Sequence, residues 1–105
     1  MTYKGKVYMS KLEAQYRKYL DTLPDLVQVD EQVSFVITIN DIKICTYKLD
    51  FKVTYLDRVE YIDVKGMTYG SAYQMFKLKK KLVEACFRTV KITEITNKDF
   101  KPPKL

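Results

Sequence analysis

Asp50 and Asp63 are the residues of this sequence whose spacing could do chemistry, provided that folding sets them side by side. Cys45, Tyr47, Leu49, Phe51, Val53 and Tyr55 are apolar and alternate with Thr46, Lys48, Asp50, Lys52 and Thr54. That period predicts a long strand with one buried and one polar face. Val59 to Lys65 reads as the returning strand, ending at Gly66. A turn centred on Leu56-Asp57 sets Phe51 opposite Ile62 and Asp50 opposite Asp63, with Lys65 on the same polar face. Carboxylates opposed in this way, about 5 Å apart, repel by roughly 3 kcal/mol at an effective dielectric near ~20. A divalent cation would remove the repulsion, and hard oxygen ligands suit Mg²⁺, with Mn²⁺ as a substitute. Lys65 would stand beside it, able to orient a water or offset charge on a phosphoryl oxygen. A register displaced by two or more residues would instead leave both aspartates simply exposed.

Other chemistries are excluded by what the sequence lacks. There is no histidine, so a Ser-His-Asp or Cys-His nucleophile and any imidazole-ligated zinc site are ruled out. Cys45 and Cys86 lie far apart without a CxxC spacing, and read as two reduced core thiols. Residues 1–9 hold no signal-peptide-like apolar run, and no stretch approaches the ~18 apolar residues of a membrane span. These features predict a cytoplasmic protein with no membrane partner.

The elements that must position the aspartates can be read along the chain. At 105 residues and 47% hydrophobic composition it has room for one core. Ser10-Lys11-Leu12-Glu13 reads as a capping box, with Ser10 as N-cap and Glu13 three residues on. Leu12, Tyr16, Tyr19, Leu20 and Leu23 continue it as a helical stripe that must stop before Pro24. Spacing alone makes Glu13 a cap, although a carboxylate at the edge of that stripe could also lean toward the aspartates. A first strand is expected over Val33 to Ile39, followed by a turn at Asn40-Asp41. Gly70 and Ser71 open a second helix to about Arg88, with Ala72, Met75, Phe76, Leu82, Val83, Cys86 and Phe87 on its apolar side. Val90 to Ile95 is the last strand. The order helix, three strands, helix, strand predicts an α/β fold around one mixed sheet, forming a single domain over 1–96. A basic, poorly ordered tail is expected at 97–105.

Charge is unevenly spread. The net charge is +6, and residues 77–105 alone hold nine basic and three acidic residues, which accounts for all of it. A polyanion would meet that end, unless the charge is only a solvated helix face and tail. Tyrosines are plentiful, but Tyr16, Tyr19, Tyr47 and Tyr55 fall on core stripes and read as packing.

Five segments together carry a resemblance. They are Tyr3-Lys4-Gly5-Lys6, Ser10-Lys11-Leu12-Glu13-Ala14, Leu49-Asp50-Phe51, Ile62-Asp63-Val64-Lys65-Gly66 and Phe76-Lys77-Leu78-Lys79. In this order the chain resembles the PD-(D/E)XK nuclease superfamily, and within it a group of small phage-encoded proteins. The resemblance implies a restriction-endonuclease-like core and a site of Glu13, Asp50, Asp63 and Lys65. Metal would be held by Asp50, Asp63, the Val64 carbonyl and Glu13. Leu49 stands where the family has its nominal proline, and Asp63 where Glu is more frequent.

The activity which that resemblance implies is metal-dependent hydrolysis of DNA phosphodiester bonds, in the host cell cytoplasm for a phage-encoded chain. Lys77, Lys80, Lys81 and Arg88, off the apolar side of the second helix, would contact the DNA backbone. Lys79 borders that side and could point toward the metal. Nothing resembles a base-reading module, which suits branched DNA such as a four-way junction, cut by a symmetric homodimer. A non-catalytic DNA-binding module on the same fold and a small protein-interaction factor are the two rival readings.

Overall fold

The computed structural model describes residues 2–97. A short hairpin comes first, β1 (Thr2–Tyr3) and β2 (Lys6–Val7), closed by Lys4 and Gly5 at φ +51° and +77°. Two-residue strands are too short to show a period, so no pattern in the residues announces them. Helix α1 (Lys11–Leu20) begins as its capping residues predict: the Ser10 hydroxyl accepts the Glu13 backbone N–H at 3.1 Å. Leu12, Ala14, Tyr16 and Leu20 bury its apolar stripe, and the helix ends before Pro24.

Three strands come next: β3 (Leu26–Ile39), β4 (Ile42–Tyr55) and β5 (Val59–Val64). Asn40 and Asp41, at φ +50° and +65°, make the two-residue turn between the first two. β3 starts seven residues before the expected Val33, because β4 is long enough to pair with all of it. The β4–β5 register is the one predicted, from Phe51 opposite Ile62 to Thr54 opposite Val59. Helix α2 (Ser71–Cys86) then crosses over to β6 (Ile92–Ile95), which lies parallel to β5. The mixed sheet runs β3-β4-β5-β6, so the fold is α/β with two helices on one four-stranded sheet. The expected tail from 98 onward lies outside the described residues.

Two cores occupy the two faces. Ile62 and Val64 pack with α1, whereas Tyr61, on the neighbouring position and pointing the other way, packs with the α2 side. The odd-numbered residues of β4 divide between these cores. Tyr47 and Leu49 join Phe76 and Val83 of α2, while Phe51, Val53 and Tyr55 join Leu12, Tyr16 and Leu20 of α1. The division falls at Asp50. Its counterpart Gln32 sits at φ +53°, and this pair alone is missing between Glu31–Phe51 and Val33–Leu49. The expected single buried face of β4 is therefore corrected: the strand reverses its faces at Asp50 and serves both cores.

The stripe of α2 also differs from expectation. It runs through Tyr73, Phe76, Lys80, Val83 and Phe87, leaving Ala72, Met75 and Cys86 exposed. Lys80, expected off the apolar side, is half-buried, as a lysine can be when its stem lies along the surface and its ammonium reaches water. The cysteines are both free; Cys45 is half-buried and Cys86 exposed, so they are not a pair of core thiols.

The two-core arrangement predicts a sharp contrast in stability. Truncating fully buried Phe51 (Phe51→Ala) should cost about 3–5 kcal/mol in urea unfolding. The exposed Val36, changed to Ala, should stay within about 0.5 kcal/mol of the parent. Equal losses at both positions would contradict the arrangement.

Candidate active site

The β4–β5 ladder stops at Phe51–Ile62, and the next polar contact between the strands comes from a side chain. The Asp50 Oδ2 accepts the backbone N–H of Val64 at 2.8 Å. This satisfies a donor that would otherwise lack a partner where β4 turns away. Gln32 Nε2 donates to the other Asp50 oxygen at 3.4 Å. Asp50 is therefore not directly opposed to Asp63 as expected; it lies at the strand junction, bonded across it.

Asp63 is 1% exposed, so the face expected to be polar and open is covered at this point. The Tyr47 hydroxyl donates to Asp63 Oδ2, and Lys65 Nζ stands 3.2 Å from Oδ1. Phe76 of α2 lies over both neighbours: Lys65 Nζ is 4.2 Å from its ring centre and the Tyr47 ring 6.3 Å. The Lys65 backbone N–H bonds the Ile95 carbonyl at 2.8 Å, which fixes the lysine between β5 and β6.

Glu13 completes the group from α1. Its residue is 6% exposed, and it faces a cleft of about 420 Å³ whose lining includes Asp50, Val64, Lys65 and Gly66. Of the residues expected at the site, Glu13, Asp50, Val64 and Lys65 line this cleft, and Asp63 sits behind it through Lys65. The five basic residues expected on DNA lie elsewhere. Lys77, Lys80 and Lys81 border a separate groove with Glu84 and Glu94, and Arg88 is exposed just past α2. Lys79 donates to the Thr46 carbonyl at 3.5 Å and does not line the cleft.

Electrostatics make the carboxyls reluctant to ionise. Burial pushes Glu13 up to about 7, and the charges of Asp50, Asp63 and Glu31 push the same way. Asp63 is raised to about 6, also chiefly by burial, with Lys65 opposing the shift. Asp50 is raised by burial and held back by the Val64 N–H, Lys65 and Gln32. The expected repulsion between the two aspartates is thus not the main burden on the site. Desolvation is, as the largest cause at all three carboxyls.

The donors are all hard oxygens, the set that suits Mg²⁺ or Mn²⁺, and neither cysteine lines the cleft. Among the described residues no three acidic or thiol side chains stand close enough to form a ready ligand cluster. A cation would draw on Asp50 and Glu13 from the cleft side, and on Asp63 with some release from Tyr47 and Lys65. Donor type fits a divalent ion.

Sequence reasoning misses Tyr47, Gln32 and the mouth of the cleft. Tyr47 reads as packing, which its ring does; nothing in a period-2 pattern shows that its hydroxyl meets a buried acid. Gln32 has a faint signal, since Asp30-Glu31-Gln32 interrupts the apolar alternation of β3. At the mouth stand Met9, Met67 and Tyr69, all strongly exposed.

No helix among the described residues is long and apolar enough to cross a membrane. A protein-family model described as "Protein of unknown function (DUF1064)" matches residues 1–101. No curated protein and no solved structure matches the chain.

The raised carboxyls predict how stability varies with pH in metal-free buffer. Folded, Glu13 and Asp63 keep protons up to about 7 and 6, whereas unfolded carboxyls release them near ~4. The folded chain thus binds more protons across that window, and stability falls as pH rises through it. Melting followed by circular dichroism should give a Tm lower at about pH 8 than at about pH 5 by several degrees. Glu13→Gln should flatten the slope; an unchanged slope would remove Glu13 from the group.

Proposed function

The chain belongs to the DUF1064 family, so its activity must be read from its own site, and we propose that it is a metal-dependent DNA endonuclease with a PD-(D/E)XK-like core. One observation carries the reading: Glu13, Asp50, Val64 and Lys65 share one cleft, with Asp63 ion-paired to Lys65 behind it. Two acids on adjacent strands, a lysine two residues after the second, and an acid from the first helix are what metal-assisted phosphodiester hydrolysis needs.

Asp50, Asp63, the Val64 carbonyl and Glu13 are the groups that would hold the cation. When bound, a divalent ion supplies acidity to water at neutral pH and positive charge beside a phosphoryl oxygen, which is why no histidine is required. The remaining work belongs to the chain. Asp50 keeps its orientation through the Val64 N–H, and Tyr47 does the same for Asp63. Lys65, braced on the Phe76 ring, presents its ammonium to the charge that builds on the scissile phosphate. Burial and the neighbouring carboxylates favour the protonated form of Glu13, and the ionised form, which a bound cation would favour, can serve as a ligand. The lysines of α2 hold the DNA backbone, and a homodimer would bring two such clefts to the two strands of a branched substrate.

Cleavage of a labelled four-way junction and of its linear arms tests this, in Mg²⁺, Mn²⁺ and EDTA. Cutting should require the metal and favour the junction. Asp50→Asn, which keeps an oxygen for the Val64 N–H, Asp63→Ala and Lys65→Ala should each lower it by about a hundredfold or more without loss of the folded far-ultraviolet signal. Absence of cutting with DNA binding unchanged by Asp63→Ala would leave a DNA-binding module instead. Absence of both would favour a protein-interaction role.

A further inference from the structure

The cleft does not end at Lys65. Lys65, Gly66 and Tyr73 line it on one side and a second groove of about 410 Å³ on the other, which continues past Thr68 to Glu94. Glu94 in turn borders the groove lined by Lys77, Lys80 and Lys81. The three grooves therefore adjoin in series between α2 and the end of β6, the first two meeting at Lys65, Gly66 and Tyr73 and the last two at Glu94.

We infer that this path is a track for an unpaired DNA strand, entering past Tyr69 and leaving over Lys77, Lys80 and Lys81. The inference rests on the nuclease reading and narrows its substrate to DNA carrying a single-stranded segment next to the scissile phosphate.

One feature favours a strand over a duplex, and two more suit a path for phosphates. The mouth presents a tyrosine and two methionines to solvent, Tyr69 at 72%, Met67 at 61% and Met9 at 94% exposure. Aromatic faces beside a phosphate-binding path suit unstacked bases, which a duplex does not offer. The lysines fall at i, i+3 and i+4 on one helix, so their ammonium groups line one wall. Two acids along the path are held by neutral donors, which orient them while the lysines supply the charge that offsets them. Glu94 accepts the Tyr73 hydroxyl at 2.6 Å, and Glu84 accepts the Ile92 N–H at 2.8 Å. Lys77 also lies 5.2 Å from the Tyr73 ring centre, which holds its charge above the path.

Fluorescence anisotropy with oligo(dT) and with a blunt duplex of equal length, both in EDTA, reads binding apart from cleavage. The wild-type chain should bind oligo(dT) more tightly by about tenfold. Tyr69→Ala should weaken oligo(dT) by about tenfold and leave the duplex unchanged, with Tyr69→Phe restoring the affinity. The combined Lys77→Ala, Lys80→Ala and Lys81→Ala variant should lower the salt dependence for oligo(dT) by about two in log–log slope. A control losing the exposed Lys43 and Lys48 on the β3–β4 hairpin should not. Equal affinity for the two DNAs, or equal effects of Tyr69→Ala on both, would overturn the track. The nuclease reading fails separately, if no metal restores cutting of any DNA.

Discussion

The hydrogen bond from the Val64 N–H to the Asp50 carboxylate is the contact on which the rest of this structure turns. A sheet with a helix on each face usually obtains two cores from strands buried on both sides. Here β4 obtains them in sequence along its length, with Tyr47 and Leu49 facing α2 and Phe51, Val53 and Tyr55 facing α1. Such a reversal breaks the ladder for at least one pair and strands a backbone donor. Asp50 supplies the missing acceptor from its side chain. The carboxylate is thus fixed at the place where the strands part, and the parting is what opens the cleft.

That solution has a cost, visible in the charges. A carboxylate recruited to a strand junction is removed from water, and Asp63 and Glu13 are buried with it. Lys65 is the cation set against Asp63, while Glu13 meets repulsion from Asp50, Asp63 and Glu31 with Lys6 as its opposing charge. The net charge of +6 does not relieve this cluster, because the lysines of α2 line a different groove. Acid therefore outweighs base in the cleft, where Lys65 faces Glu13 and Asp50, while Lys77, Lys80 and Lys81 outnumber Glu84 and Glu94 in the groove beside it. An arrangement that leaves buried carboxyls undercompensated is unfavourable to folding, and such departures concentrate at sites used for binding or chemistry.

Much of this is legible because period and register are local properties. The alternation from Cys45 to Tyr55 and the turn at Leu56-Asp57 lead to Phe51 opposite Ile62, and the ladder agrees. Ser10 and Glu13 announce the start of α1, and Pro24 its limit. What fails is parity carried past Asp50. Counting by twos assumes a strand with two constant faces, and the positive φ of Gln32 that breaks the count leaves almost no trace in composition. The same blindness applies to Tyr47, whose ring belongs to the core and whose hydroxyl belongs to Asp63. The stripe of α2 misleads for another reason: a lysine can occupy a buried position by its stem, and charge alone hides this at Lys80.

Glu13 shows why a capping role and a site role need not compete. The cap engages its backbone: the Glu13 N–H is the donor to the Ser10 hydroxyl, and the Ala14 N–H bonds the Ser10 carbonyl. The carboxylate is left to the cleft, where it joins Asp50 along the lining. Fixing the first turn by its backbone restricts where the side chain can go, since Cβ directions near a helix start are set by the turn itself. The entry of α1 is also tied to the sheet through Leu12 and Tyr16, which pack with Phe51, the residue next to Asp50. The cap, the α1-side core and the reversal of β4 therefore act on one distance, that between the Glu13 and Asp50 carboxyls. Weighing cap against ligand treats as alternatives two uses of different atoms of the same residue.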